Sequence, residues 1–195
     1  QIGPVGKEGT VRILEAACMG CGTCAAECNF DALDMPYFTK AQVMAQIEAS
    51  LADRSEEKCL VFTCNWCSYA GADLAGIEKR QYAPSARIIR TMCSARFEED
   101  FISRSFELGA GAVLVTGCRL TETGSDCHYN HANKMTEKRF HYWQRKLKRK
   151  GVSPERLQLC WISAAEGKEF AKKIDEMDGV VKRRLELSAE GRVGV

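Results

Sequence analysis

Cys18, Cys21, Cys24 and Cys28 stand in the spacing C-x2-C-x2-C-x3-C near the start of the chain. Thiolates two residues apart wrap one corner of a 4Fe-4S cubane, and glycines such as Gly20 and Gly22 let the backbone approach the inorganic sulfides. A structural zinc knuckle is the competing reading, but zinc sites usually show two CxxC pairs separated by a longer loop, which this run lacks. Asn29 takes the place of the proline that usually follows the fourth cysteine. In two-cluster ferredoxins the last cysteine of each run ligates the other cluster. Cys28 therefore either closes the cubane of its own run or reaches a neighbouring cluster on another polypeptide, and the geometry of such runs favours the second.

A second group is scattered along the chain: Cys64 and Cys67 in CNWC, then Cys93, Cys118 and Cys127. Each of the first four sits just past a short β-rich run, and Cys127 lies a few residues beyond Cys118. If those runs are parallel strands, their ends converge on one edge of the sheet, where such folds place ligands. Four or five cysteines then meet in one place, enough for a cluster. Two other readings stay open: a redox-active Cys64–Cys67 pair of thioredoxin type, and a structural zinc. A Rieske centre needs two histidines paired with two cysteines, and the adjacent Cys127-His128 does not supply that separation. His128 is read as a hydrogen-bond donor near the sulfurs or as packing. Cys59 and Cys160 fall inside expected strands and read as small buried apolar side chains.

The elements that must position these residues follow from periodicity. Residues 59–180 alternate β-rich runs (CLVFT, ARIIRT, AVLVTG, LQLCWIS) with amphipathic stretches (GADLAGIEKRQ, ARFEEDFISRSFEL, a long helix near 131–150, AAEGKEFAKKIDEM). This predicts an α/β, doubly wound domain with a parallel sheet of about four strands and helices on both faces. Gly109 and Gly111 mark the turn into AVLVTG. Residues 39–58 hold a connecting helix with Val43, Met44, Ile47 and Leu51 at helical spacing and Thr39 as N-cap. Residues 1–38 have too few apolar residues for a core and form a small ferredoxin-like segment stapled by its cluster. Residues 181–195 form a tail without a strong signal.

The 195 residues allow one core, or one core with a satellite stabilised by something other than burial. A net charge of +2 is too balanced to imply a nucleic-acid or membrane partner. No apolar run is long enough to span a bilayer and the opening residues lack a signal-peptide pattern, so the chain reads as soluble and cytoplasmic. Eleven cysteines in such a chain argue for metal ligation before disulfides. KRFHYWQRKLKRK carries seven basic residues and no acidic one, with Phe140, Trp143 and Leu147 on one buried stripe. Its outer face reads as solvated or as a docking surface for an acidic partner subunit. There is no Gly-rich phosphate loop, Ser-His-Asp arrangement or carboxylate pair placed for acid-base work.

CNWCSYAGAD, RTMCSARFEEDFISRSFELGAGAVLVTGCRL, SDCHYNHANK and RLQLCWISAAEGKEFAKKI together resemble the iron-sulfur delta subunit of methyl-viologen-reducing hydrogenase. The N-terminal CMGCGTCAAECNFDALDMPYFTKAQVMAQIEASL resembles the last ferredoxin motif of the flavin-containing A subunit of heterodisulfide reductase. The resemblance implies a 2Fe-2S cluster on four of Cys64, Cys67, Cys93, Cys118 and Cys127, beside the 4Fe-4S cluster of the first run. It implies an electron-transfer subunit without catalysis of its own, passing electrons from a hydrogenase or formate dehydrogenase to a heterodisulfide reductase A-type flavin subunit. The chain departs from the family pattern by the longer insert RLTETGSD between Cys118 and Cys127.

Overall fold

The structure, a computed structural model, describes residues 12–122 and 124–190. The first 11 residues of the expected 1–38 segment, Thr123 of the insert and the last five of the expected tail lie outside the described residues.

Four strands form one parallel sheet: β1 (Cys59–Cys64), β2 (Ala86–Thr91), β3 (Ala112–Gly117) and β6 (Leu157–Trp161), in the order β2-β1-β3-β6. The central pair, CLVFTC and AVLVTG, is buried along its whole length, as unbroken apolar runs of strand length should be. A two-stranded antiparallel hairpin, β4 (Leu120–Thr121) with β5 (Gly124–Ser125), occupies the insert.

Helices cover both faces. The one-turn α1 (Thr23–Ala26) belongs to the N-terminal segment. α2 (Lys40–Ser50), α4 (Glu99–Glu107) and α5 (Ala132–Arg149) pack on one face through Val43, Ile47, Phe101, Phe140, Trp143 and Leu147 against Leu60, Phe62, Val113 and Val115. α3 (Ser68–Ile77) and α6 (Gly167–Ala189) pack on the other, where Ala75, Phe170, Ile174 and Met177 meet Val61 and Leu114. α2 begins with a reciprocal capping box: the Thr39 hydroxyl accepts from the Gln42 amide, and the Gln42 side chain accepts from the Thr39 amide. Gly109, at φ +88°, closes α4 and turns the chain toward β3. α6 does not stop near residue 180, where the sequence pattern weakens. Val180 and Val181 are still buried in the apolar layer, and the helix runs on to Ala189.

After β1 the chain fills the β2 position on one side, then returns to place β3 and β6 on the other. The strand order thus reverses between β1 and β3, and the crevice beyond their C-terminal ends is where open α/β sheets bind ligands. Among the described residues no helix is long and apolar enough to cross a membrane.

Candidate metal centre

β1 ends on Cys64, β3 is followed at once by Cys118, and Cys93 lies two residues past β2. The three side chains are buried at the reversal point of the sheet. Gly117 makes this possible: a Cβ there would lie 2.8 Å from both Ser94 Oγ and Trp161 Cζ3. The β4–β5 hairpin folds the insert back on itself and returns Cys127 to the same place, so the longer spacing does not carry it away. Cys67, one turn past Cys64, packs against the group from the start of α3.

All five sulfurs of the second group are therefore gathered. Cys64 and Cys118 are 3.6 Å apart, sulfur to sulfur. Hydrogen-bonding contact with Cys118 and Cys93 holds Cys64 and Cys127 far below the ordinary cysteine range. Cys93 and Cys118 are correspondingly pushed up, each by Cys127 first and then Cys64. Cys67 is lowered by its hydrogen bond from Cys118. The pocket thus favours thiolate, the form that binds metal, at Cys64, Cys67 and Cys127. The donor set is all sulfur and suits soft-ligand metals and iron-sulfur clusters. Among the described residues no three His, Cys, Asp or Glu side chains are set to grip a single ion. Here the sulfurs face one another in thiol–thiolate contact.

The surrounding polar groups orient the ligand-bearing loops, as partners of metal ligands generally do. Ser68 Oγ accepts from the Cys64 amide at 2.9 Å, and Thr91 Oγ1 donates to the Cys93 carbonyl at 2.9 Å. Asn133, fully buried on α5, donates to the carbonyls of Cys118 and Arg119 and accepts from Ser125 Oγ, which in turn accepts from the Cys127 amide. An aromatic group covers the outer side. The Trp66 indole donates to the Tyr129 hydroxyl at 2.9 Å and stacks on His128 at 3.9 Å between ring centroids. His128 is thus a packing residue against Trp66.

The first cysteine run lies against the same edge. Cys18 and Cys24, with Gly20, Gly22, Asp34 and Met35, line a cavity of about 530 Å³. Cys21 instead packs against the second cysteine group. Cys28 does not line the cavity; its sulfur accepts from the Ala32 amide at 3.3 Å, and backbone donors from Phe30 and Ala32 hold its thiol below the usual range. Cys59 is buried in the opposite apolar layer, its thiol pushed up to about 12 by desolvation. Cys160 is half-buried beside Glu166 and Lys173.

A buried arginine and a largely buried one fix the N-terminal segment to this edge. Arg96, 1% exposed, donates to the Phe38 carbonyl and pairs with Glu98 at 2.8 Å and Asp34 at 3.4 Å. Arg139 pairs with Glu27 at 2.7 Å and donates to the Ala95 carbonyl at 2.6 Å. Sequence reasoning named neither, nor Asn133, Ser68 or the Trp66–Tyr129 pair; the only trace was their place in the stretches CNWCSYAGAD, RTMCSARFEED, SDCHYNHANK and KRFHYWQRKLKRK.

The family model for the delta subunit of methyl-viologen-reducing hydrogenase matches residues 59–183. The A subunit of the ferredoxin:CoB-CoM heterodisulfide reductase of Methanosarcina mazei is 44% identical over 189 residues, which is 82% of this chain and 23% of that protein. The iron-sulfur D subunit of the vhc F420-non-reducing hydrogenase of Methanococcus voltae is 40% identical over 132 residues, 68% of this chain and 89% of that protein. The iron-sulfur D subunit of the F420-non-reducing hydrogenase of Archaeoglobus profundus is 36% identical over 133 residues, 68% of this chain and 94% of that protein. The chain spans about a quarter of the length of the heterodisulfide reductase subunits it matches.

Proposed function

Because the chain belongs to the family of the delta subunit of methyl-viologen-reducing hydrogenase, we propose that it is a cytoplasmic, non-catalytic electron relay with two iron-sulfur sites. Four of Cys64, Cys67, Cys93, Cys118 and Cys127 would hold a 2Fe-2S cluster. Cys18, Cys21, Cys24 and Cys28 of the ferredoxin-like segment would hold a 4Fe-4S cluster. When bound, such groups supply one-electron storage. The donor would be a hydrogenase or formate dehydrogenase and the acceptor a heterodisulfide reductase A-type flavin subunit, in line with the names of the relatives.

The observation that carries this reading is the packing of Cys21 against the gathered second group. A cysteine of the first run packs against those of the second, which supports two neighbouring sites over two unrelated staples. The chain's own residues supply the rest: Asn133, Ser68 and Thr91 hold the thiolate loops in place, and the Trp66–Tyr129 hydrogen bond ties the Cys64–Cys67 loop to the Cys127 loop. A thiol–disulfide role for Cys64 and Cys67 would give three further buried sulfurs nothing to do.

The test is electron paramagnetic resonance of anaerobically prepared cysteine variants. Cys93→Ser and Cys118→Ser each remove or severely alter the 2Fe-2S signal, and Cys160→Ser leaves both signals intact. Loss of a signal in Cys160→Ser with none in Cys93→Ser would overturn the assignment.

A further inference from the structure

Arg139 lies where the two cysteine groups meet, and its placement is costly. Its side chain is 12% exposed, its anionic partner Glu27 is 44% exposed, and its Nε–H is buried with no hydrogen-bond partner. Burial disfavours the cation, and a half-solvated carboxylate is a weak counterweight. A purely structural ion pair at this position would be better replaced by apolar packing.

The contacts of the guanidinium reach both cysteine groups. One arm pairs with Glu27, which lies between Cys24 and Cys28 of the first run. The other arm donates to the Ala95 carbonyl, and the amide of the same residue points at Cys93 Sγ, 3.4 Å away. The charges of Glu27 and Glu98 act on Arg139 as well. The cation thus contacts the residue next to Cys28 on one side and the residue two past Cys93 on the other, and with its own side chain only 12% exposed its charge acts more strongly than one at the surface.

We propose that Arg139 is a positioning and tuning residue for both redox sites, a fixed positive charge at their junction that raises the reduction potential of each. This rests on the reading of the two cysteine groups as iron-sulfur sites. A thiolate-ligated cluster is anionic and gains one negative charge when an electron enters, with no bond made or broken. A permanent cation stabilises the reduced form more than the oxidised one, and at the junction it does so for both. The same charge offsets the mutual repulsion of two anionic groups held side by side, which compensates for its own desolvation.

The experiment is a redox titration of the full chain followed by electron paramagnetic resonance, on wild type, Arg139→Gln, Arg139→Lys and Glu27→Gln. Arg139→Gln lowers both midpoint potentials, Arg139→Lys retains most of the wild-type values, and Glu27→Gln raises both. Loosening of the seam alone would move Arg139→Gln and Glu27→Gln the same way, since both break the same ion pair, so opposite signs identify the charge effect. A shift of one potential only, of neither, or of both variants in one direction would overturn the proposal. If Arg139→Gln does not retain its clusters, Glu27→Gln decides: an upward shift of both potentials supports the role and no shift refutes it. Wild-type protein lacking either signal would sink the reading of the sites themselves, a failure distinct from intact signals indifferent to Arg139.

Discussion

Asn133→Ala tests whether the loop that carries Cys118 and Cys127 is held by one buried amide. Asn133 is 0% exposed. Its Nδ2 donates to the Cys118 carbonyl at 3.1 Å and the Arg119 carbonyl at 3.2 Å, while its Oδ1 accepts from Ser125 Oγ at 2.9 Å and from the Lys134 amide at 3.0 Å. Truncation does not affect these partners equally. The Arg119 carbonyl keeps the Asp126 amide as a donor, and Ser125 Oγ keeps the Cys127 amide. The Cys118 carbonyl loses a buried donor, a change that costs about 1–3 kcal/mol where nothing replaces it. Adding about 1 kcal/mol for the Ser125 bond gives roughly 2–4 kcal/mol, a large part of a domain's usual stability of about 5–15 kcal/mol. Anaerobic urea unfolding followed by tryptophan fluorescence measures this as a fall in the midpoint. The 2Fe-2S resonance should also broaden, since Cys118 and Cys127 lose their common anchor. A stability loss under about 0.5 kcal/mol, the usual scatter for an inert surface change, with an unaltered resonance, would refute the reasoning.

Trp143→Ala, which empties the fully buried centre of the α5 stripe, lowers stability by about 3–5 kcal/mol in the same unfolding assay. Gly22→Ala forces a side chain onto a backbone at φ +78° and brings its Cβ within 2.8 Å of Arg96 Cδ and 2.9 Å of Met35 Sδ, so the 4Fe-4S signal is lost on warming before the 2Fe-2S signal. Burial alone would raise the Asp178 carboxyl, but Lys182 and Ser85 hold it below its ordinary value. Its contribution to stability is therefore present above the unfolded-state value and lost as pH falls through the folded one, and Asp178→Asn removes that part of the acid slope in pH-dependent unfolding.

The sheet was legible because its signal is local. Short unbroken apolar runs such as CLVFTC and AVLVTG, β-branched and of strand length, read as buried strands, and their parallel arrangement brings Cys64, Cys93 and Cys118 to one edge. Cys127 was harder to place, since its return depends on a hairpin of two residues per strand, too short for any alternation to show. The seam was not legible at all. An arginine in a basic helix carries no mark that distinguishes Arg139, paired with Glu27 at the seam, from the exposed Arg145 further along the same helix. The contact of Cys21 with the second group joins segments more than 40 residues apart through packing alone, with no periodicity to announce it. The run-on of α6 past residue 180 is a related case. Val180 and Val181 continue the stripe, but the basic KRR that follows masks it.

The central claim, two iron-sulfur sites joined at one edge of the sheet, is tested most directly by iron and acid-labile sulfide analysis of the anaerobically prepared chain, combined with electron paramagnetic resonance of the reduced protein. The account predicts about six irons per chain, the sum of one cubane and one two-iron cluster, with two resonances broadened by their mutual interaction. Protein that holds zinc and no iron, or holds no metal and cycles a Cys64–Cys67 disulfide, would contradict it.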